Sequence, residues 1–162
     1  VTAAIAHELA IAPMVTYVRP AKLPDIPWLM GELRKFAEFY GLPPLFPSPA
    51  EARRGLVAYI EQKVLFIAAE NGHPIGFIGG EVRAHPYNSQ LPVLAEHFWW
   101  VCEERRGGRA GLLLLDELHK FADAHGYRVA MSLLPNSPIN ERSLLKRGYR
   151  LAEKAYLREV VR

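Results

Sequence analysis

The sequence predicts a mixed α/β domain, and three observations lead to it. Strand and helix periodicities follow one another in the order β-α-α-β-β-β-α-β-α-β-β. A chain of 162 residues is the length of one domain able to bury its own core. With 50% hydrophobic and 23% charged residues, it has the balance of a folded protein rather than a disordered one.

Residues 1–13 are alanine-rich and lack the basic start and long apolar stretch of a secretory signal. They are expected to be an N-terminal extension, followed by a single domain over residues 14–162. Residues 14–19 alternate apolar and polar and read as the first strand, ended by Pro20. Asp25 is placed to cap a helix whose first turn tolerates Pro27. Ile26, Leu29, Met30, Leu33, Phe36, Ala37 and Tyr40 recur at helical spacing, and Gly41 suits the stop. The loop at residues 42–47, LPPLFP, is stiff and carries an aromatic. Ser48-Pro49-Ala50-Glu51 is a capping box that opens a second helix to about Gln62.

Residues 64–69 form a short apolar strand, and Asn71-Gly72 is a hairpin signal because both residues tolerate positive φ. Strand three covers residues 75–82, where Gly76, Gly79 and Gly80 mark a bulge or a close approach by a neighbour. A loop over 85–92 leads to strand four at 93–102. A glycine-rich turn at 107–111 precedes a helix over 112–125, whose buried side carries Leu114, Leu115, Leu118, Phe121 and Ala122. Strand five spans 127–134, a short helix 138–147, and the last two strands lie within 149–161.

Several function classes are excluded. Twenty basic against 17 acidic residues leave a net charge of only +3, which does not predict a nucleic-acid surface. No apolar run approaches the roughly 18–20 residues of a membrane span. The single cysteine, Cys102, excludes an internal disulfide and a thiolate-rich zinc site. The histidines lack H-x-H or H-E-x-x-H spacing, so no metal is expected. There is no G-x-x-x-x-G-K-[ST], no G-x-G-x-x-G after the first strand and no G-x-S-x-G elbow.

The chemistry concentrates in residues 96–118, EHFWWVCEERRGGRAGLLLLDEL. A strand enters a turn holding Arg105, Arg106, Gly107, Gly108, Arg109 and Gly111, then passes directly into a helix. Glycines let backbone N–H groups approach an anion, and a helix N-terminus leaves donors unsatisfied. Arginines add charge and forked donors. The alternative is a solvated basic turn.

This strand–RGGRAG–helix unit resembles the acetyl-CoA signature Q/R-x-x-G-x-G/A of the GNAT N-acetyltransferase superfamily. One register matches Arg105 to Ala110. The other runs from Arg106 to Gly111, puts Arg109 in place of the middle glycine, and better suits the family's strand-to-helix spacing, with Val101 closing the strand. The resemblance extends to the order of elements. It implies a GNAT-like mixed sheet with splayed fourth and fifth strands, and acetyl-CoA as cosubstrate. The main chain of Trp99, Trp100 and Val101 would pair with pantetheine. Arg106, Gly107, Gly108, Arg109, Ala110 and Gly111 would hold the pyrophosphate, and Asn140 would touch the cofactor. Glu96, in an Ala-Glu context like the family's, would be the general base for transfer of acetyl to a primary amine. The family's acid tyrosine is replaced by Leu144, and Tyr156 on the last strand is the candidate in its stead.

Adjacent strand positions put His97 on the face opposite Glu96 unless the strand bulges, and likewise turn Trp99 and Trp100 opposite ways. Cys102 is expected to be structural. By resemblance, the segment from Tyr40 to Pro49, with Leu45 and Phe46, lines the acceptor site. The expected partner is a small-molecule or peptide amine, with no nucleic acid and no membrane. A cytoplasmic location and a homodimer paired through the last strands are also expected. A non-catalytic acyl-CoA-binding or interaction module on the same fold is the alternative function.

Overall fold

The computed structural model describes residues 15–41, 48–85 and 88–153. Its elements are β1 (Thr16–Pro20), α1 (Ile26–Phe39), α2 (Pro49–Glu61), β2 (Leu65–Glu70), β3 (His73–His85), β4 (Asn88–Val101), α3 (Ala110–His125), β5 (Arg128–Ala130) and α4 (Glu141–Leu145). Their order reproduces the first nine expected elements. Two units are compact in themselves, one ending at Met131 and the other spanning Ser132–Arg162.

The first unit is a five-stranded sheet in the order β1-β2-β3-β4-β5. The pairs from β1 to β4 are antiparallel, and β4 with β5 is parallel. Asn71 and Gly72, at φ 50° and 85°, close the β2–β3 hairpin as the dipeptide predicts. On one face, Leu114, Leu115, Leu118 and Ala122 of α3 bury against Phe66, Ala68, Ile78 and Leu94. On the other, Trp28 of α1 meets Phe77 edge-on at 6.1 Å, and Phe36 meets Trp100 at 6.0 Å.

Four expectations are corrected. Asp25 does not cap α1 with its side chain. Its carboxylate is held by both terminal nitrogens of Arg19, each at 2.8 Å, and by the Lys22 amide at 2.7 Å, because a single 3-10 turn (Leu23–Asp25) precedes the helix. The loop expected at 85–92 is mostly strand, since β3 and β4 extend their antiparallel ladder to the His85–Asn88 pair and satisfy each other's backbone. β5 holds three residues rather than eight, since it pairs only with Val93, Leu94 and Ala95. Residues 149–153 are not strand. The Tyr149 amide instead bonds the Leu144 carbonyl at 3.2 Å, past Gly148 at φ 85°, and closes α4. The rest of the expected last strands, and the homodimer pairing assigned to them, lie outside the described residues. Among the described residues, no helix is long and apolar enough to cross a membrane.

The glycines of β3 set the shape of the sheet. At Gly76 an added Cβ would stand 2.7 Å from the Trp100 carbonyl oxygen, and at Gly79 it would stand 2.6 Å from the Phe98 ring. At Gly80 it would press into the carbonyl oxygen of Ala95. The register shifts here: Gly79 faces Phe98 and Gly80 faces Glu96, so His97 is the extra residue of a β-bulge. Gly80→Ala is therefore expected to destabilise the fold by about 2 kcal/mol or more, because backbone cannot yield cheaply. Thermal unfolding followed by circular dichroism measures it, and an unchanged midpoint would contradict this account of the bulge.

Candidate active site

β4 runs beside β3 along its whole length but beside β5 only to the Ala95–Ala130 pair. Beyond that point Glu96 and Phe98 to Val101 keep their β3 partners, and the β5 register goes no further, so the two parallel strands part at Glu96. The bulge at His97 falls on the same spot. Leu94 lies in the α3-side core, so strand alternation gives Glu96 that face. His97 and Phe98 both turn to the other, where each meets the Tyr59 ring, at 5.8 and 5.2 Å. His97 thus stays on the face opposite Glu96 although the strand bulges there, and it is Phe98 whose face the bulge changes. Glu96 is half-buried.

Past Val101 the chain makes one 3-10 turn (Glu103–Arg105) and enters α3, with exposed Arg109 at its N-cap. The first helical bond runs from the Leu113 amide to the Arg109 carbonyl at 3.0 Å. The amides of Ala110, Gly111 and Leu112 precede it and have no helical acceptor. Gly107 takes φ 81°, which favours glycine, and nothing lies within 4 Å of where a Cβ would stand. At Gly108 the nearest atom to an added Cβ is the Arg105 carbonyl oxygen, at 3.5 Å, and φ is ordinary. The fold itself does not require glycine at position 108. An open backbone at a helix N-terminus fits a phosphate group. Gly111 packs close to Val101 and to the Trp99 ring, at 3.6 and 3.8 Å from an added Cβ.

The three arginines of the turn have separate surroundings. Arg105 pairs with Glu70 of β2 at 3.1 Å. The Arg106 Nε donates to the Val101 carbonyl at 3.1 Å, and its guanidinium lies over the Trp100 and Phe39 rings, at 4.3 and 4.6 Å. Arg109 is exposed. Beneath the turn, buried Glu32 of α1 accepts from the Trp100 Nε1 at 2.9 Å, from the Cys102 thiol at 3.4 Å and from the Lys35 Nζ at 2.6 Å. Burial opposes its ionisation, but these donors outweigh burial and hold the carboxyl below its ordinary value. Burial, with Glu32 beside it, pushes the Cys102 thiol up to about 12, so this cysteine is a structural donor and not a nucleophile.

The description "Acetyltransferase (GNAT) family" fits residues 30–149 of the chain. The chain belongs to the GNAT acetyltransferase family. A predicted acetyltransferase from Clostridium acetobutylicum, solved with acetyl-CoA, superposes with a TM-score of 0.73 at 17% identity, over 90% of this chain and 96% of that one. An aminoglycoside N-acetyltransferase in complex with CoA gives 0.71 at 17% identity, over 94% and 99%. A ribosomal-protein-alanine N-acetyltransferase from Brucella melitensis biovar Abortus gives 0.70 at 17%, over 91% and 99%. Comparison with curated proteins finds no match.

In this acetyltransferase, Glu96, Trp99, Trp100, Val101, Arg106, Gly107, Gly108, Arg109, Ala110 and Gly111 all lie along one continuous path from the fork to the first turn of α3. Trp99 is half-buried toward α3 and Trp100 is buried toward α1, opposite ways as adjacent strand residues must be. Asn140 belongs to the second unit, where its Oδ1 caps α4 by accepting from the Ser143 amide at 3.0 Å. Leu144 of α4 is buried. Tyr156, Leu45 and Phe46 lie outside the described residues. Among the described residues, no three His, Cys, Asp or Glu side chains gather as a metal site.

Sequence reasoning missed Glu32 and Tyr59. Glu32 sits among the apolar positions of α1, and a charged residue on a buried helix face is the signal that would have found it. The Tyr59 hydroxyl lies 2.7 Å from the His97 Nδ1, and Glu81 stands 4.0 Å from the Nε2. Burial lowers the His97 pKa, as does Arg83, against the opposing pull of Glu81. A histidine depressed in the fold takes up its proton more readily when unfolded, so its contribution is present above about pH 6.5 and is lost as pH falls through the folded value. Stability is thus expected to fall below about pH 6.5, and His97→Asn to flatten that part of the curve. Urea unfolding of both proteins between pH 5 and pH 8 measures the difference. Identical pH dependence would show that His97 is not held neutral.

Proposed function

We propose that the protein moves an acetyl group from acetyl-CoA to a primary amine by direct attack. The observation that carries this reading is the coincidence of the fork with the open turn. The β4 edge from Trp99 to Val101, unpaired toward β5, leads without interruption to the open backbone of Gly107 and Gly108 and the free amides of α3. Those groups fit an extended chain ending in a pyrophosphate. The relatives solved with acetyl-CoA and with CoA support the same cosubstrate.

Bound acetyl-CoA supplies an acyl carbon activated by its thioester. The main chain of Trp99, Trp100 and Val101 holds the pantetheine, and Gly107, Gly108, Arg109, Ala110 and Gly111 hold the pyrophosphate. The Glu96 carboxylate, at the point where the strands part, accepts the proton that the amine must lose as its nitrogen bonds the acyl carbon. The carbon–sulfur bond breaks and the thiolate takes up a proton. Tyr156 is the candidate donor, since Leu144 stands where the family carries its tyrosine. The acceptor is a small-molecule or peptide amine. A solved aminoglycoside acetyltransferase in complex with sisomicin shares the fold at a TM-score of 0.61 and 16% identity.

Acetyl-CoA is expected to raise the melting temperature, and NADH to leave it unchanged. At 100 times its Kd a ligand adds about 2.7 kcal/mol. Gly108→Val should keep the free protein's stability, because the fold leaves room there, yet weaken acetyl-CoA more than Arg109→Ala does. Calorimetric titration measures both variants. Failure of the wild type to bind would remove the proposal, and an unaffected Gly108→Val would remove the role given to the turn.

Glu96→Gln is expected to lower kcat by about a hundredfold at neutral pH with little change in acetyl-CoA affinity. The deficit should shrink toward high pH, where more of the amine is already deprotonated. Steady-state assays with an active amine across pH 6 to pH 9 test it. Equal turnover by the variant throughout would move the proton to another acceptor.

A further inference from the structure

We infer that the Arg106 side chain is a positioning residue, which rivets the cofactor turn to the end of α1 and does not itself ligate the pyrophosphate. The inference rests on the acetyl-CoA reading above and narrows it. An arginine in a glycine-rich turn at a helix N-terminus is naturally taken for a phosphate ligand. Here the guanidinium is engaged elsewhere. Its Nε donates to the carbonyl of Val101, the last residue of β4, across a closed span of five residues. Its face lies over two rings at once, Trp100 of β4 and Phe39 of α1. Those rings are themselves in edge contact at 5.6 Å. Trp100 is fixed in turn by its bond to buried Glu32, one of the donors that keep that carboxylate satisfied.

The consequence is geometric. Arg106 follows directly on the 3-10 turn and precedes Gly107, whose positive φ sends the chain toward α3. Tying Arg106 back to Val101 sets the angle at which the turn leaves β4, and hence where the following amides point. Phe39 is the last residue of α1, so the cofactor turn and the C-terminal end of α1 share this one side chain as an anchor. The positive charge acts on ring faces and a carbonyl, an arrangement that depends on a planar fork. A lysine ammonium is a point charge and cannot reproduce both contacts.

Calorimetric titration of acetyl-CoA into the wild type, Arg106→Ala, Arg106→Lys, Phe39→Leu and Arg109→Ala, at low and at high salt, tests this. Arg106→Lys is expected to weaken binding as much as Arg106→Ala, by about tenfold, the combined worth of a hydrogen bond and a cation–π contact. The salt dependence of both should match that of the wild type, because no charge facing the ligand has been removed. Phe39→Leu, distant from the turn in sequence, should also weaken binding, by about threefold. Arg109→Ala is the contrasting case, with a reduced salt dependence. In ligand-free protein, the amides of residues 107–111 should exchange faster in Arg106→Lys and Phe39→Leu than in the wild type. Wild-type affinity in Arg106→Lys, a lowered salt dependence in Arg106→Ala, or an unaffected Phe39→Leu would each overturn the inference. Lack of binding by the wild type would instead remove the acetyl-CoA reading, and this inference with it. If Arg106→Ala does not fold, the lysine and Phe39 variants carry the test.

Discussion

β4 has one neighbour for all of its length and another for three residues only, and the rest of the site follows from that division. Its ladder with β3 satisfies one edge of the strand from Asn88 to Val101. That pairing keeps the strand extended after β5 has turned away at Ala130. A strand with one edge bonded can leave the other open without collapsing, and an open edge accepts an extended ligand as another strand would. The bulge supplies the second condition. Gly79 and Gly80 let β4 come close enough to insert His97 as an extra residue, and alternation changes phase there. Glu96 and the pair His97–Phe98 consequently take opposite faces at the fork.

Charge in the glycine-rich turn is distributed in a way that the composition of the turn conceals. Of its three arginines, Arg105 answers Glu70 and Arg106 is taken up by aromatic rings and a carbonyl. Arg109 stands exposed at the helix start. The capacity for an anion therefore resides mainly in backbone amides and the end of α3, which are rigid and need no side-chain ordering. Rigidity comes from below. Glu32 is a carboxylate in an apolar layer, and it is tolerable there because three donors meet it. Two of them, Trp100 at the end of β4 and Cys102 just past it, thereby fasten α1 to the end of that strand.

Much of this was legible in order along the chain. Ser48, Asn71-Gly72, and Gly126 after α3 each announce an element end through local chemistry, and each acts as announced, with Gly126 at φ 69°. The Glu51 carboxylate, by contrast, takes the Ser48 hydroxyl at 3.4 Å rather than the Ser48 amide of a full capping box. The strand–turn–helix unit from Glu96 onward was legible too, because its signal lies in consecutive residues. Element ends set by a partner were not. The length of β5 depends on how far β4 runs beside it. The extension of β3 and β4 through polar residues depends on each other's backbone.

The sequence by itself determined the order of the elements from β1 to α4, the family resemblance and the location of the glycine turn, since local periodicity and short-range motifs encode them. Only the tertiary structure decided the direction of side chains at the site. A one-residue bulge reverses every face beyond it, and nothing in the spacing of Glu96 and His97 states whether the bulge occurs. Nor does the chain tell which arginine meets rings 67 and 6 positions away, Phe39 and Trp100, rather than solvent. The burial of Glu32, the silence of Cys102 and the seating of Arg106 are all contacts between distant segments. They exist only once the packing of α1 on β4 has excluded water from between them.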